Sequence, residues 1–456
     1  MQLCLRRVLC LPALMALLLA GCASEPDPPL PDVESVTWHA DIAPLMAEHC
    51  VVCHTEGGVG GFSLSSFDEA KVLATWLSNT VRTGAMPPWS LDSSDCDAPG
   101  PFLHERGLSE EEIDLLDEWA DSGTVEGDSS TATAIPAPVD RSLAGANQDL
   151  LRGAGWTASS VVDSQEYRCF VLDPEVEETS WLTGLQVLPD ALEVLHHVFA
   201  YRVPAERVEE VEAQVGSDGS FDCFPQMGFG GLDPLTGWLP DTMPMEFPAG
   251  AGVAFEPGSR ILLQVHYHTW LIGASDATSL SLRWAPSDPG RSARIQVFGN
   301  GAAPPALQPG PDDPPLGPEF LIPRFAYDHT ESYRIPVGEE ELPQRVWGLA
   351  PRMNYVGKAV RVSLEKASGE TVCLGEVGPW SLDTMRFYRY DLALEDMPLM
   401  EPGDVLVLEC TYDNTTGNDD LRDVLARYGV KSPQDTPLGE GPLDEMCMVA
   451  LGLVEE

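Results

Sequence analysis

From Arg168 onward the chain seldom sustains an apolar run before Pro, Gly or Asp breaks it. The runs Arg168–Leu172, Trp181–Leu188, Glu193–Val203, Ile261–Trp270 and Arg294–Phe298 have the length of strands, and few helical periods compete with them. Pro removes a backbone donor and Gly admits φ > 0, so this punctuation favours short strands and tight turns over helices. The region is expected to be all-β, as sandwich or barrel. At 456 residues the chain exceeds one hydrophobic core, so two to four domains are expected.

The stretch ahead of it reads differently. Trp38 to His49 and Asp68 to Thr83 have helical character. Ser109 and Glu112 form a capping box, Ile113, Leu116 and Trp119 share a face of the helix that follows, and Gly123 closes it. Residues 35–127 are therefore expected to form a small all-α domain. Asp128 to Gly145 lacks an apolar period and reads as a linker. Gly299 to Pro318, dense in Pro and Gly, reads as the joint between two β domains. One internal echo supports their relatedness: the segment Pro257-Gly258 to Tyr267 aligns without gaps on Pro402-Gly403 to Tyr412, each a Pro-Gly turn entering a strand that ends at Tyr.

Within the helical stretch, Cys50-Val51-Val52-Cys53-His54 has the form of a c-type haem attachment site. Two thiols bond the porphyrin vinyl groups and the adjacent imidazole takes one axial position on iron. No second Cys-x-x-Cys is present to complete a zinc site. The other axial ligand should be a soft or nitrogen donor downstream. Met86, in Gly84-Ala85-Met86-Pro87-Pro88-Trp89, lies in a Pro-stiffened loop suited to that role. Haem c is the expected cofactor, and residues 35–127 the expected cytochrome c domain.

Arg6-Arg7 precede the apolar run Val8 to Ala20, and Leu19-Ala20-Gly21-Cys22 ends it. A short apolar core behind positive charge is a signal peptide, too short to remain as a membrane span. The small residues before Cys22 resemble a bacterial lipobox, in which Cys22 is lipidated and becomes the mature N-terminus. Residues 1–21 are then the signal and 22–34 a tether, Pro-rich from Glu25 to Asp32. No later run is long and apolar enough to cross a membrane. Attachment is expected through lipid alone, on the periplasmic or outer face of a bacterial envelope membrane. Lys and Arg number 26 against 72 Asp and Glu, a net charge of −46 that excludes nucleic acid and anionic membrane surfaces as partners. Export leaves six cysteines beyond those of the signal, lipid and haem: Cys96, Cys169, Cys223, Cys373, Cys410 and Cys447. An oxidising compartment makes disulfides their default fate.

Among the histidines, His196-His197 follows Leu192 to Leu195 in an expected strand. Neighbours on a strand point to opposite faces, so both reach one metal only where the backbone kinks or bulges. His266 and His268 alternate onto one face, a spacing that suits two imidazoles on one ion. A site built from these two strands would suit copper or zinc.

The His-His pair followed by Gln264-Val265-His266-Tyr267 resembles the copper type II, ascorbate-dependent monooxygenases, the family of peptidylglycine α-hydroxylating and dopamine β-monooxygenases. Asp444-Glu445-Met446-Cys447 is similar to their late Asp-Glu-Met-Cys segment, and Glu409-Cys410-Thr411-Tyr412-Asp413-Asn414 to the strand before it. The resemblance covers Ala146 to Glu456. It implies two jelly-roll domains facing across a wet cleft, here 146–300 and 318–456, with 128–145 and 301–317 as linkers. The expected fold class is multidomain, a small all-α cytochrome c domain followed by two all-β jelly-roll sandwich domains. The resemblance places an electron-donating copper on His196, His197 and His266, with no role for His268. It places the methionine of the oxygen-activating copper on Met446. Arg352 and Asn354, in Leu349 to Lys358, stand where the family has its second His pair. Arg has no lone pair to donate and repels a cation, and Asn offers only a hard amide oxygen. One copper is therefore expected, or two if the second site survives. His329 has no surroundings that suggest a ligand. The family's paired cysteines imply Cys169–Cys223 and Cys410–Cys447 disulfides and leave Cys96 and Cys373 unassigned.

Two readings stand at this point. In one, haem takes electrons from a periplasmic donor and feeds a three-His copper for O2-dependent C–H hydroxylation of a small-molecule or peptide substrate. In the other, the chain is a non-catalytic haem and copper electron-transfer or binding lipoprotein.

Overall fold

A computed structural model describes residues 35–456 except 57–59, 88–90, 93–95, 105–106, 135–139, 153–154, 158–164, 224–230, 269–272, 301–305, 312, 315–316, 383–384 and 440. The signal peptide, Cys22 and the tether lie outside the described residues. Val36–Glu456 forms one compact unit.

Two five-stranded antiparallel sheets and one sheet of ten strands carry the architecture. The first five-stranded sheet runs in the order Phe221–Asp222, Gln165–Leu172, Arg260–His268, Leu195–Val203, Asp233–Trp238. The second runs Leu91–Asp92, Thr371–Val377, Gly357–Glu365, Val405–Asp413, Tyr327–Pro336. The ten-stranded sheet passes through both halves of the β region. Its central strands are Ser180–Leu188, Ala251–Phe255, Arg291–Gly299, Met448–Glu455 and Gln344–Arg352. Arg291–Gly299 pairs Met448–Glu455 over seven positions, from Ala293 opposite Val454 to Gly299 opposite Met448.

The apolar patterns explain this layering. Ile261, Leu263, Val265 and Tyr267 face a core shared with Leu182, Leu185, Phe255 and Leu280 of the large sheet. Leu262, on the opposite face, packs with Cys169, Val211, Phe221 and Cys223. A strand covered on both faces reads as an unbroken apolar run, as Ile261 to Val265 does. The joining strands do the same: Trp347 and Val454 enter the first core, while Leu349, Leu451 and Leu453 enter the second. Trp347 lies over Gly452, where a Cβ would fall 2.3 Å from Cε2 of its ring. Gly452→Ala is expected to cost about 1–3 kcal/mol by overpacking, measured as a lower denaturation midpoint. An unchanged midpoint would contradict that packing.

The internal echo has a structural counterpart. Gly258 and Gly403 both take left-handed conformations, with φ of 85° and 87°. Each following residue closes the same turn, Ser259 N to Glu256 O and Asp404 N to Glu401 O, both at 3.1 Å. Tyr267 and Tyr412, each one residue before the end of its strand, are fully buried.

The expected separate all-α cytochrome c domain is not what this chain builds. Strand makes up 37% of the structure against 17% helix, and the described residues show no separate N-terminal all-α domain. Short helices do form at Ala43–His49, Phe67–Lys71, Ala74–Arg82 and Glu110–Asp121, around Trp38, Ile42, Met46, Leu77, Leu116 and Trp119. The Ser109–Glu112 capping box is in place. Between the last two helices, however, the chain leaves this cluster and joins the β body. Leu91 and Asp92 pair with Val377 and Glu376, Cys96 is bonded to Cys373, and Phe102 stacks on Tyr390 at 4.8 Å. Helical periodicity reports which local segments coil. It does not report that the segment between them is spent on a distant sheet edge.

Candidate metal centre

His196, His197 and His266 come together on the first five-stranded sheet. His266 sits opposite His197, and the next pair is Tyr267 with Leu195, so the register slips and His196 is the extra residue of a β-bulge. The bulge removes the alternation that would send neighbouring side chains to opposite faces. The three Nδ1 atoms converge: His196 to His197 at 2.9 Å, His196 to His266 at 3.1 Å and His197 to His266 at 3.3 Å. For metal–nitrogen bonds of about 2.05 Å these separations correspond to angles of roughly 90–110° at the ion. The group can therefore hold a metal ion on one triangular face, leaving its other side for further ligands. His266 has the parity of Leu262, so the site lies on the sheet face turned away from the first core.

Aromatic rings surround the imidazoles. Tyr167, on the neighbouring strand, stacks on His266 at 4.0 Å and 7°. Burial pushes its phenol up to about 12, against the pull of the Arg352 charge, so it stays neutral at physiological pH. Phe199, two residues after His197, lies 5.1 Å from the His197 ring and packs on the second core. The Arg352 guanidinium lies 5.7 Å from the same phenyl ring, and its buried Nε has no hydrogen-bond partner among the described residues. Arg352 thus comes from the second half to the surroundings of the three-His group.

The other residues of the expected second copper set are placed as follows. Asn354 is buried, and its amide nitrogen donates to Asp444 O at 3.0 Å and Gly441 O at 3.3 Å. Met446 is buried beside Glu445, and its carbonyl accepts from the Tyr412 hydroxyl at 3.0 Å. His329, on the second five-stranded sheet, has its Nε2 3.0 Å from Oε1 of the buried Glu331. The backbone of His268 ends the Arg260–His268 strand opposite Gln165.

Glu445 organises this corner. Its fully buried carboxyl accepts from the backbone N–H groups of Asn354, Val356 and Met446. Burial outweighs those donors and the charge of Arg352, and pushes the carboxyl up to about 8 from 4.5. The folded state then holds a proton that the unfolded chain releases. The contribution of Glu445 to stability is fully present below about 4.5 and is lost as pH rises through about 8. Denaturation midpoints across that window are expected to fall for the native chain, and Glu445→Gln is expected to flatten the slope. Parallel slopes in the two proteins would remove Glu445 as its source.

At the Cys50–His54 motif one turn is closed by Cys53 N and His54 N, both donating to Cys50 O, at 3.1 and 2.9 Å. Cys50 and Cys53 are free thiols, while Cys96–Cys373, Cys169–Cys223 and Cys410–Cys447 are disulfides. Burial pushes the Cys50 thiol up to about 12, with Cys53 adding to the rise, and raises Cys53 as well. Redox dithiols and thiolate metal sites need the opposite shift. The environment therefore disfavours a redox pair. His54 is buried, its Nδ1 has no hydrogen-bond partner among the described residues, and a Cβ at Gly60 would fall 2.3 Å from that atom. These features fit a haem ligand held in a tight cradle. Phe62 lies 4.3 Å from the His54 ring. Met86 is half-buried on the turn after the Ala74–Arg82 helix, with its amide bonded to Thr80 O at 3.1 Å.

Three disulfides place the folded chain in an oxidising, extracytoplasmic compartment. Among the described residues no helix is long and apolar enough to cross a membrane. Tyr167 and Phe199 were missed by the sequence reading, though Phe199 repeats the strand period from His197. Nothing local marks Arg352 as a neighbour of that group.

No protein-family model and no curated protein sequence matches the chain. Among solved structures it is similar to the major capsid protein P2 from Bacteriophage PM2, at 7% identity over 68% of this chain and 97% of that one, with a TM-score of 0.27. The N-terminal CBM22-1-CBM22-2 tandem domain of Paenibacillus barcinonensis Xyn10C follows, at 10% identity over 66% and 82%, with a TM-score of 0.16. The infectious bursal disease virus VP2 subviral particle matches at 8% identity over 70% and 80%, with a TM-score of 0.17. Likenesses this distant carry no argument about fold or function.

Proposed function

We propose that this chain is a copper-dependent, monooxygenase-like redox protein that carries haem c and holds one copper on His196, His197 and His266. The observation that carries the reading is the convergence of three imidazole nitrogens within 2.9–3.3 Å of one another. An all-imidazole set suits copper or zinc, and a Cys-x-x-Cys-His motif in the same compact unit favours the redox metal. Haem attached through Cys50 and Cys53, with His54 and Met86 as iron ligands, would supply one-electron reduction from a periplasmic donor. Tyr167 holds the His266 ring by stacking, and Phe199 shields His197 from water. Arg352 sets a cation near the site, suited to a carboxylate on a small-molecule or peptide substrate. Lipid at Cys22 would keep the protein on the envelope membrane.

A second, non-catalytic electron-transfer reading is favoured by the Asn354 and Arg352 positions. The Asn354 amide nitrogen is engaged by backbone carbonyls, and Arg352 has no lone pair, so the resembled family's second His pair has no substitute there. Copper and iron counted per chain in haem-matured protein, with oxygen uptake under a chemical reductant, test both. One copper, one iron and copper-dependent oxygen uptake support the hydroxylating reading. The same metals without uptake support electron transfer. Zinc at full occupancy after copper loading, or no bound metal, sinks both.

A further inference from the structure

The outer face of the helical segment leaves apolar side chains open to solvent. Asp68, Val72 and Trp76 follow one another at four-residue spacing through Phe67–Lys71 and Ala74–Arg82, and all three are exposed, Val72 at 73% and Trp76 at 47%. The inward residues of the same stretch, Ala70, Ala74, Leu77 and Val81, pack in one cluster with Leu116 and Trp119. The amphipathic period therefore puts Val72 and Trp76 on the side away from that cluster. An exposed aliphatic is ordinary, but Trp is highly buried on average, so a half-exposed indole beside an exposed Val is a small apolar patch. Trp76 is also connected inward. Its ring lies 5.9 Å from Phe62, edge-on at 73°, and Phe62 lies 4.3 Å from the His54 ring. Two ring contacts thus lead from the surface to the imidazole expected on the haem iron. The surroundings are strongly acidic, with 17 Asp and Glu against three Lys and Arg between residues 35 and 127.

We propose that Val72 and Trp76 form the docking surface through which the haem receives electrons, and that its occupant is a small redox protein with a basic face. The inference rests on the haem reading above and deepens it by naming where the donor docks and of what charge it is. Electron transfer between proteins weakens steeply with separation, so a donor must seat close to the iron, and the Trp76–Phe62–His54 contacts mark such a place. An aromatic side chain at the centre of a contact, with a charged rim, is the usual anatomy of a protein interface. An acidic rim attracts a cationic partner over a long range and repels anionic ones.

The test uses the full chain matured with haem, as native protein, Trp76→Ala, the ring-keeping Trp76→Phe and Val72→Lys. The probe is a small basic c-type cytochrome. Covalent haem is first confirmed by the pyridine haemochrome spectrum, and the absorption bands of the variants are compared with native. Affinity for the ferric probe is then measured by titration calorimetry, where no electron moves. Passage of one electron from the ferrous probe to the ferric chain is followed by stopped flow at low and high salt. For native protein, affinity and rate constant are both expected to fall about tenfold or more from low to high salt. Trp76→Ala is expected to lose about tenfold in each, while Trp76→Phe stays near native. Val72→Lys, which sets a cation against a cationic probe, is expected to weaken both, and it decides if Trp76→Ala does not fold. Reduction by dithionite should be alike in all four proteins. Native affinity and rate in Trp76→Ala overturn the docking surface, as does a native chain that does not bind the probe. Altered haem bands or slowed dithionite reduction in Trp76→Ala also overturn it, because Trp76 then serves the haem pocket instead. No covalent haem in the native chain overturns the haem reading itself, which is a different failure.

Discussion

His197→Ala is expected to empty the metal site, taking copper from one per chain to none under conditions that saturate the native protein. His197 is buried, faces His266 across the strand pair and supplies one corner of the nitrogen triangle. Without it, two imidazoles 3.1 Å apart remain, one of them on a bulge. Losing an outer partner of a ligand costs about 10–100-fold in affinity, and losing the ligand itself should exceed that. The ring belongs to neither hydrophobic core, so the denaturation midpoint of the metal-free variant should stay close to that of the metal-free native chain. Full copper content in the variant would sink the three-His assignment.

Cys96→Ser is expected to produce the largest loss of stability. The Cys96–Cys373 bond joins residues 277 apart in sequence. In the chain-entropy account a loop of that length contributes on the order of 5 kcal/mol, the upper end for a single bridge. The two-residue strand Leu91–Asp92, the Phe102–Tyr390 stack and the backbone bonds Leu103 N to Arg389 O and Asp391 N to Pro101 O, at 2.7 and 2.8 Å, would then hold the junction without a covalent link. Limited proteolysis should release a fragment containing residues 36–127 from the variant under conditions that leave the native chain intact. An unchanged denaturation midpoint and an intact digestion pattern would show that the bond adds nothing to that junction.

The β character was legible because it depends on local chemistry. Pro and Gly punctuation sets strand length, and the run at Trp181–Leu188 and the described part of the Ile261–Trp270 run fall on observed strands. The His196-His197 pair was legible in a conditional form: a bulge was required, and the register slip at His266/Tyr267 is that bulge. Long-range pairing was not legible. Cys96 and Cys373 were left without partners although they were the last two of six, since neither has neighbours that name the other. The shared sheet was equally hidden, because the paired positions of Arg291–Gly299 and Met448–Glu455 lie 149 to 161 apart in sequence. Nor did the helical periods of residues 35–127 disclose that Leu91 and Cys96 belong to the β body.

That shared sheet limits how the molecule can be taken apart. Residue 300 looks like a natural place to cut, with a Pro- and Gly-rich stretch beyond it. Ending the chain there would strip Met448–Glu455 from Arg291–Gly299 and leave its ladder of amides and carbonyls open at an edge. It would also remove Trp347 and Val454 from the first core. An unpaired edge of that kind recruits other chains. Recombinant halves would therefore be poor proxies for their portions of the whole, and the two parts of the β body are best expressed and handled as one object.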